Sequence, residues 1–476
     1  MTSTRIALLL AATPALLLAQ GVDRTHPPQL PPPPALQPPP VQTARLPNGL
    51  EIAVVEMHKV PVVDISLLID AGSVRDPSDL PGLATFTAQA LQEGAGQRNS
   101  LDLAEEIGYL GARLFTSASY DAATISLHVP KRQIGPALDL LADVVLRPTF
   151  PDSEVARERD LRRTQILQQQ DQPVAMANIA FSAILYGQTH PYGRPLAGTE
   201  ASTAALNRDR VAQFYQAYYR PNNASVLVVG DVTLAEARAL VGARFGDWNP
   251  GDVTAVADVP APAPAARNIY LVDKPGAAQS VFRIGEVAAG RATPDYFALT
   301  VLNTILGGSF TSRLNQNLRE THGYTYGANS QFALRKMAGP FLAASSVVTA
   351  KTDSSLIEFM KELRRIRDDT VPQAELAKAK AFITLGLPGD FETTAGVAAR
   401  VRELLLYGLP LDYYATYIPR IEAVTAADVQ RVARQYLDPD HFAIVVVGDR
   451  SRIAAGLEAL HEAPIVLRDL WGQAVP

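Results

Sequence analysis

Cysteine is absent from all 476 residues. That removes thiol nucleophiles, disulfides and cysteine metal ligands together, and leaves no thiol for lipid attachment at an export site. Blocks of like charge are also missing. The 43 Lys and Arg and 48 Asp and Glu are interspersed and sum to a net charge of −5. This argues against nucleic-acid binding, which would need a basic patch. Histidine is sparse: His26, His58, His128, His190, His322, His441 and His461, no two within one helical turn. No Gly-x-Ser-x-Gly elbow is present, which speaks against a serine hydrolase. The Gly-Gly-Ser-Phe at 307–310 lacks the Gly-Lys-Ser/Thr ending of a phosphate loop. Apart from the first residues, no apolar run approaches the ~20 residues of a membrane span.

What is present begins with Arg5, then the apolar run Ile6–Ala19, then small residues. These parts predict a secretory signal peptide over residues 1–20, an exported and periplasmic chain, and no membrane span after cleavage. A proline-rich stretch follows, with nine prolines among the 14 residues Pro27–Pro40. Fixed φ and missing amide hydrogens make it an extended spacer, so residues 21–43 are expected to lie outside the fold.

The body of the chain, 47% hydrophobic, repeats itself. Ala217–Asp231 reads AYYRPNNASVLVVGD and Gln435–Asp449 reads QYLDPDHFAIVVVGD. Tyr, Pro, the apolar run and Gly-Asp recur at an offset of 218 residues. A helical pattern precedes each copy, with Asp209 and Thr425 as expected caps, and another helix follows. The order helix, strand, helix twice over predicts a duplicated domain. The expected halves are 44–250 and 269–476, joined by a Pro/Ala linker over 251–268. Within them, LEIAVVEM, PVVDISLLIDAG, ATISLHV, NIYLVDK, SVFRIGEVA and PFLAASSVVTA read as strands. PALDLLADVVLRP, the stretch from Pro151 to Gln169, YFALTVLNTILGG and SSLIEFMKELRRIRDD read as helices. The predicted class is α+β: two homologous domains, each a mainly antiparallel sheet with helices on one face.

Several motifs carry a resemblance. DAGSVRDPSDLPGLA to ALQEGAG, then HPYGRPLAGT, resemble the N-terminal half of the insulinase (pitrilysin) family. LNTILGGSFTSRLNQNLRETHGYTYGANS and PQAELAKAKA resemble its C-terminal half, and the likeness runs from about Leu46 to Leu460. It implies two α+β domains forming one half of a clamshell around a peptide chamber. Active members of that family carry His-x-x-Glu-His, an inverzincin motif, with a distant glutamate as third zinc ligand. By the resemblance those positions fall on Thr85, Ala88, Gln89 and Gln165. None of these side chains is a good zinc ligand or a general base. No metal is therefore expected in this chain. Glu93 and Glu158, which lie nearby, read as solvated helix charges.

The second half keeps what the first lacks. Arg319 and Tyr326 match, by the resemblance, the pair that faces the zinc in active clamshells. A phenol hydroxyl can donate to an oxyanion, and a guanidinium fork can hold a substrate carbonyl. The competing reading is a helix-end ion pair for Arg319 and a core-packed strand aromatic for Tyr326. Gly307 and Gly308 read as a helix C-cap, or as a loop that touches substrate, and both can hold. Phe115, Thr116 and Ser117 fall in the family's edge-strand region, which pairs with extended peptide. A covered edge is the alternative there. The expected function is the non-catalytic, substrate-binding subunit of a heterodimeric exported zinc metallopeptidase. A zinc-bearing paralogue would be the partner. The alternative is an inactive peptide-binding or assembly scaffold.

Overall fold

The computed structural model describes residues 35–262 and 265–475. The expected signal peptide and the first part of the proline-rich stretch lie outside the described residues. Two six-stranded sheets follow one another along the chain. The first holds β1 (Gln42–Arg45), β2 (Glu51–Glu56), β3 (Val62–Ile69), β4 (Arg113–Ala118), β5 (Ala123–Pro130) and β6 (Ala224–Gly230). Their spatial order is β1-β2-β6-β3-β5-β4. The second holds β7 (Asn268–Asp273), β8 (Gln279–Ala289), β9 (Thr325–Phe332), β10 (Gly339–Val348), β11 (Ala443–Gly448) and β12 (Ile465–Arg468). Their order is β9-β10-β8-β11-β7-β12. Most neighbours are antiparallel. The exceptions are β2 with β6, and β7 with β11 and β12. Strands β6 and β11 sit at the same place in their sheets and read as apolar runs because both of their faces are covered.

Helices α1 (Leu83–Ala90), α2 (Ser100–Tyr109), α3 (Ile134–Leu146), α4 (Asp152–Gln169), α5 (Pro173–Tyr186), α6 (Arg208–Tyr218) and α7 (Leu234–Phe245) belong to the first half. Helices α8 (Tyr296–Leu306), α9 (Thr352–Asp368), α10 (Gln373–Gly386), α11 (Thr394–Tyr407), α12 (Ala426–Tyr436) and α13 (Arg450–Ala459) belong to the second. The bounds of α6 and α12 are offset by the same 218 residues as the sequence repeat. So are their caps. Thr425 caps α12 in a capping box with Asp428, while Asn207 caps α6 by accepting from Arg210 N. The cap of α6 is thus Asn207 rather than the expected Asp209. Asn207 has the extended backbone a cap needs, and Asp209 already lies in the first turn.

Each half buries its own core between one sheet face and its helices. In the first, Ile65, Leu67 and Val228 meet Phe86, Leu138 and Phe214. In the second, Phe282, Ile284 and Val446 meet Leu302, Phe359 and Val432. The other face of each sheet carries a helix from the opposite half. Met176, Ala177, Ala180 and Phe181 of α5 pack on Val281, Val445 and Val447. Val397, Ala398 and Val401 of α11 pack on Ala53, Val55, Leu227 and Val229. Small residues on both helices let them lie close to the sheet. A third tie is the β9–β10 connection. The Arg335 guanidinium lies 4.0 Å from the Tyr120 ring centroid and 4.6 Å from that of Tyr192. Lys336 N donates to the Asp121 carboxylate at 3.1 Å.

The spacer expected over 21–43 ends earlier than its composition suggests. Strand β1 starts at Gln42, paired with Val54. Leu36 packs against the second core, and Pro38 to Val41 lie beside Phe391, Val401, Leu404 and Tyr414. Proline rings lack amide hydrogens but bury apolar surface well, so an extended stretch joins the fold where an aromatic wall receives it. Likewise β7 begins at Asn268, the last residue of the expected linker. Among the described residues no helix is long and apolar enough to cross a membrane.

One buried carboxyl on β8 gives the fold a pH dependence. Burial pushes Glu286 up to about 7, and the nearby Asp438 charge adds to this, against the bond it accepts from Asp438 N. Its folded value lies above its unfolded one. The folded state therefore holds a proton that the unfolded state releases, and stability from this group falls as pH rises through 7. Glu286→Gln is expected to lose less Tm than the unchanged protein between pH 5 and pH 8, as read by thermal melts.

Candidate functional site

Helix α1 starts at Gly82, whose φ of 93° suits glycine. A Cβ there would meet Ala197 O at 2.7 Å. The buried Asp76 carboxylate accepts from Gly82 N (2.8 Å) and Ala84 N (2.7 Å), satisfying the helix start. Desolvation lifts the Asp76 carboxyl to about 7, against those two bonds and the charges of Arg194 and Arg162. Leu83, Ala84, Phe86, Ala88 and Ala90 are buried, so α1 is a core helix. Ala88, which the resemblance sets at the position of a water-activating base, offers only a buried methyl group.

Thr85 and Gln89 do come together, around a side chain that the sequence reading did not single out. Arg162 of α4, 7% exposed, donates to Gly82 O (3.0 Å), Thr85 Oγ1 (2.9 Å) and Gln89 Oε1 (2.9 Å). Its guanidinium lies 5.0 Å from the Phe86 ring centroid, and burial brings it down to about 10. Gln89 Nε2 donates to Glu158 at 2.6 Å. The contacts step from Gln89–Glu158 to Thr85–Arg162, so α4 runs antiparallel to α1. The next turn, with Gln165, has passed the start of α1, and Gln165 is exposed. The structure therefore does not bring Gln165 to Thr85 and Gln89. The two nearby acids also differ from the expectation of solvated charges. Glu158 is 6% exposed, and Arg157 bridges it (2.8 Å) to Glu93 (2.5 Å). Burial and the Glu158 charge raise Glu93. The sequence clue to Arg162 was the spacing Val155, Glu158, Arg162, Ile166, a buried stripe broken by two charges.

A hydroxyl, an amide and a methyl around a guanidinium do not suit zinc. The fixed positive charge opposes a divalent cation in a site of low dielectric. Among the described residues no group of three or more His, Asp or Glu could hold a metal.

Strand β4 is the edge of the first sheet and, among the described residues, pairs only with β5, through Phe115↔Ser126, Thr116↔Ile125 and Ser117↔Thr124. Phe115 is 66% exposed. Thr116 turns to the other face and accepts from Gln92 Nε2 at 2.9 Å, tying β4 to the end of α1.

Strand β9 is the matching edge of the second sheet. Its pairing with β10 slips between Thr325↔Val347 and Ala328↔Ser345. Tyr326 and Gly327 thus oppose the single residue Ser346, a bulge that leaves Tyr326 92% exposed. Hydroxyls hold the bulge: Thr325 bonds to Ser346 O (2.7 Å), and Ser345 donates to Gly327 O (2.9 Å). The core-packed reading of Tyr326 does not describe it. Arg319 lies in a π-helical turn, Gln316–Thr321. Its guanidinium is 3.4 Å from Glu320 and 4.5 Å from the exposed Phe310 ring centroid. Buried Asn315 links the parts, donating to Phe310 O (2.6 Å) and accepting from Ala328 N (3.2 Å).

Gly307 caps α8 through its N–H to Asn303 O, with φ of −156° rather than the left-handed value. Glycine is needed for another reason. A Cβ on Gly307 would meet Ser330 N of β9 at 2.2 Å, and one on Gly308 would meet Asn303 Nδ2 at 2.6 Å. Gly308 is exposed beside Ser309 and Phe310. Among the described residues no hydrogen bond or ion pair joins Arg319 or Tyr326 to the α1–α4 cluster.

These features define a class: a duplicated α+β protein of two six-stranded sheets, each covered by helices, with an arginine-centred cluster between α1 and α4 that does not suit zinc. The chain belongs to the insulinase family, peptidase family M16. The family's "Insulinase (Peptidase family M16)" pattern matches residues 51–200, and its "Peptidase M16 inactive domain" pattern matches 205–383. An uncharacterized zinc protease of Mycobacterium leprae is 27% identical over 406 residues, covering 84% of this chain and 90% of its own. A probable mitochondrial-processing peptidase subunit beta of Arabidopsis thaliana is 26% identical, covering 85% of this chain and 77% of its own. The solved peptidase M16 inactive domain from Pseudomonas fluorescens superposes with a TM-score of 0.81 at 27% identity, over 86% of this chain and 98% of that one. A Helicobacter pylori protease at 21% identity and TM-score 0.82 shares the fold.

Proposed function

We propose that this chain is the non-catalytic, substrate-holding subunit of a two-chain zinc metallopeptidase that works outside the cytoplasm. The zinc sits in a paralogous partner and supplies the water-activating chemistry. The observation that carries the reading is a contrast within one chain. Arg162 ties together Thr85 and Gln89, the residues that the resemblance sets at the metal position of the first half, while a bulge holds Tyr326 92% exposed in the second. Tyr326 donates to the oxyanion formed at a peptide carbonyl, and Arg319 holds a neighbouring carbonyl with its fork. The open side of β4 at Phe115 to Ser117 pairs with extended peptide, and Gly308 lines its path.

Reconstitution tests this. The purified chain alone is expected to hydrolyse no peptide and to carry no stoichiometric zinc. Mixed with a zinc-bearing paralogue that is itself poorly active, it is expected to restore turnover. Peptide binding without cleavage, whatever the partner, would favour the scaffold reading. Stoichiometric zinc in the isolated chain would overturn both.

A further inference from the structure

The α1–α4 cluster does more than lack a metal. Three acceptors converge on one guanidinium: Gly82 O, Thr85 Oγ1 and Gln89 Oε1, each within 2.9–3.0 Å. A metal centre ties two helices by putting one cation between their side chains, and here a side chain of α4 does the same to α1. The tie continues outward. Gln89 also bonds Glu158, so α4 grips it from both ends of its amide. Gln92 follows in the next turn, its N–H 3.4 Å from Gln89 O. Gln92 then donates to Thr116 in the middle of β4. A continuous path thus runs from Arg162 through Gln89 and Gln92 to the open sheet edge.

We propose that Arg162 is a positioning residue. Its guanidinium takes the metal's place as the cation joining α4 to α1, and through Gln89 and Gln92 it fixes where the β4 edge lies for peptide pairing. The second clause rests on the reading of β4 as a peptide-docking edge given above.

The experiment uses the full chain, its Arg162→Gln, Arg162→Lys and Gln92→Ala variants, and a fluorescein-labelled extended peptide of alternating Val and Thr. Hydrogen exchange reads the tie, and fluorescence anisotropy reads peptide affinity. EDTA is expected to leave the Tm of the unchanged protein where it is. Arg162→Gln is expected to speed exchange across residues 83–92 and 113–118 about tenfold or more, because it removes charge-assisted bonds from one buried and two part-buried acceptors. Arg162→Lys is expected to fall between, since one ammonium cannot serve three acceptors as a planar fork does. Gln92→Ala cuts only the outer link. It is expected to weaken peptide binding about tenfold while Tm moves by no more than about 2 °C. Unchanged exchange at 83–92 in both Arg162 variants, or a Tm that falls with EDTA, overturns the cation role. Unchanged peptide affinity in Gln92→Ala overturns the path to the edge. If the unchanged chain binds no peptide, the docking-edge reading fails and the path with it, while exchange still decides the cation role. Should Arg162→Gln not fold, Arg162→Lys and Gln92→Ala decide alone.

Discussion

Tyr326→Phe in this chain is expected to lower kcat of the reconstituted two-chain enzyme by about 10²-fold, the usual cost of one oxyanion donor. The substitution removes a single oxygen. Among the described residues no hydrogen bond uses that oxygen; Tyr326 is 92% exposed and its bulge is held by Thr325, Gly327 and Ser345. Tm is therefore expected to stay within about 1 °C, as for surface changes generally. Arg319→Ala is expected to act differently. A fork that holds the carbonyl beside the scissile one, which does not itself react, binds substrate and transition state alike, so KM rises more than kcat falls. Arg319→Lys is not a rescue, since an ammonium lacks the paired geometry. Steady-state kinetics on the mixed subunits separates the two effects. If both Tyr326→Phe and Arg319→Ala leave turnover unchanged, the pair is idle in catalysis and the scaffold reading takes its place.

The parts of this molecule legible in the sequence are those where local pattern and burial agree. The 218-residue repeat marked α6, β6, α12 and β11; both ends of the helices and the last residues of the strands keep that offset. Thr425 was readable as a cap because a capping box is local chemistry. Asn207 and Asp209 are both good cap residues two positions apart, and local sequence does not choose between them. The exchange of α5 and α11 was not legible. The α5 sequence PVAMANIAFSAILY is apolar on most sides, and such a helix does not say which sheet it covers. Arg162 escaped for a related reason. Helix α4 is strongly polar, so its buried Glu158 and Arg162 look like any solvated charges until α1 is placed against them. Tyr326 was legible only by resemblance. A bulge depends on cross-strand register, which periodicity along one strand does not carry.

The exchanged helices lead to the largest expected effect on folding. Val401→Asp is expected to abolish the folded chain. Val401 is 2% exposed, on the face of α11 that meets Ala53, Val55, Leu227 and Val229 of the first sheet. The side chains of that cluster are apolar, so a carboxylate there is desolvated, and the neighbouring Arg402 is already engaged with Ser66 and Ser126. The cost is on the order of 4 kcal/mol, a large part of a typical folding margin. Val401→Ala keeps the surface apolar and removes two methyl groups, about 2 kcal/mol by transfer bookkeeping. It should fold, with a Tm lowered by several degrees. Calorimetry distinguishes this from a merely local lesion. Because α5 completes the second sheet and α11 the first, neither half can expose its partner's helix without uncovering its own. Heating the unchanged chain should give one cooperative transition, and Val401→Ala should shift that whole transition downward. Two separated transitions in Val401→Ala, with only the first half melting early, would mean that the halves fold independently and that the exchanged helices merely rest on the sheets they cover.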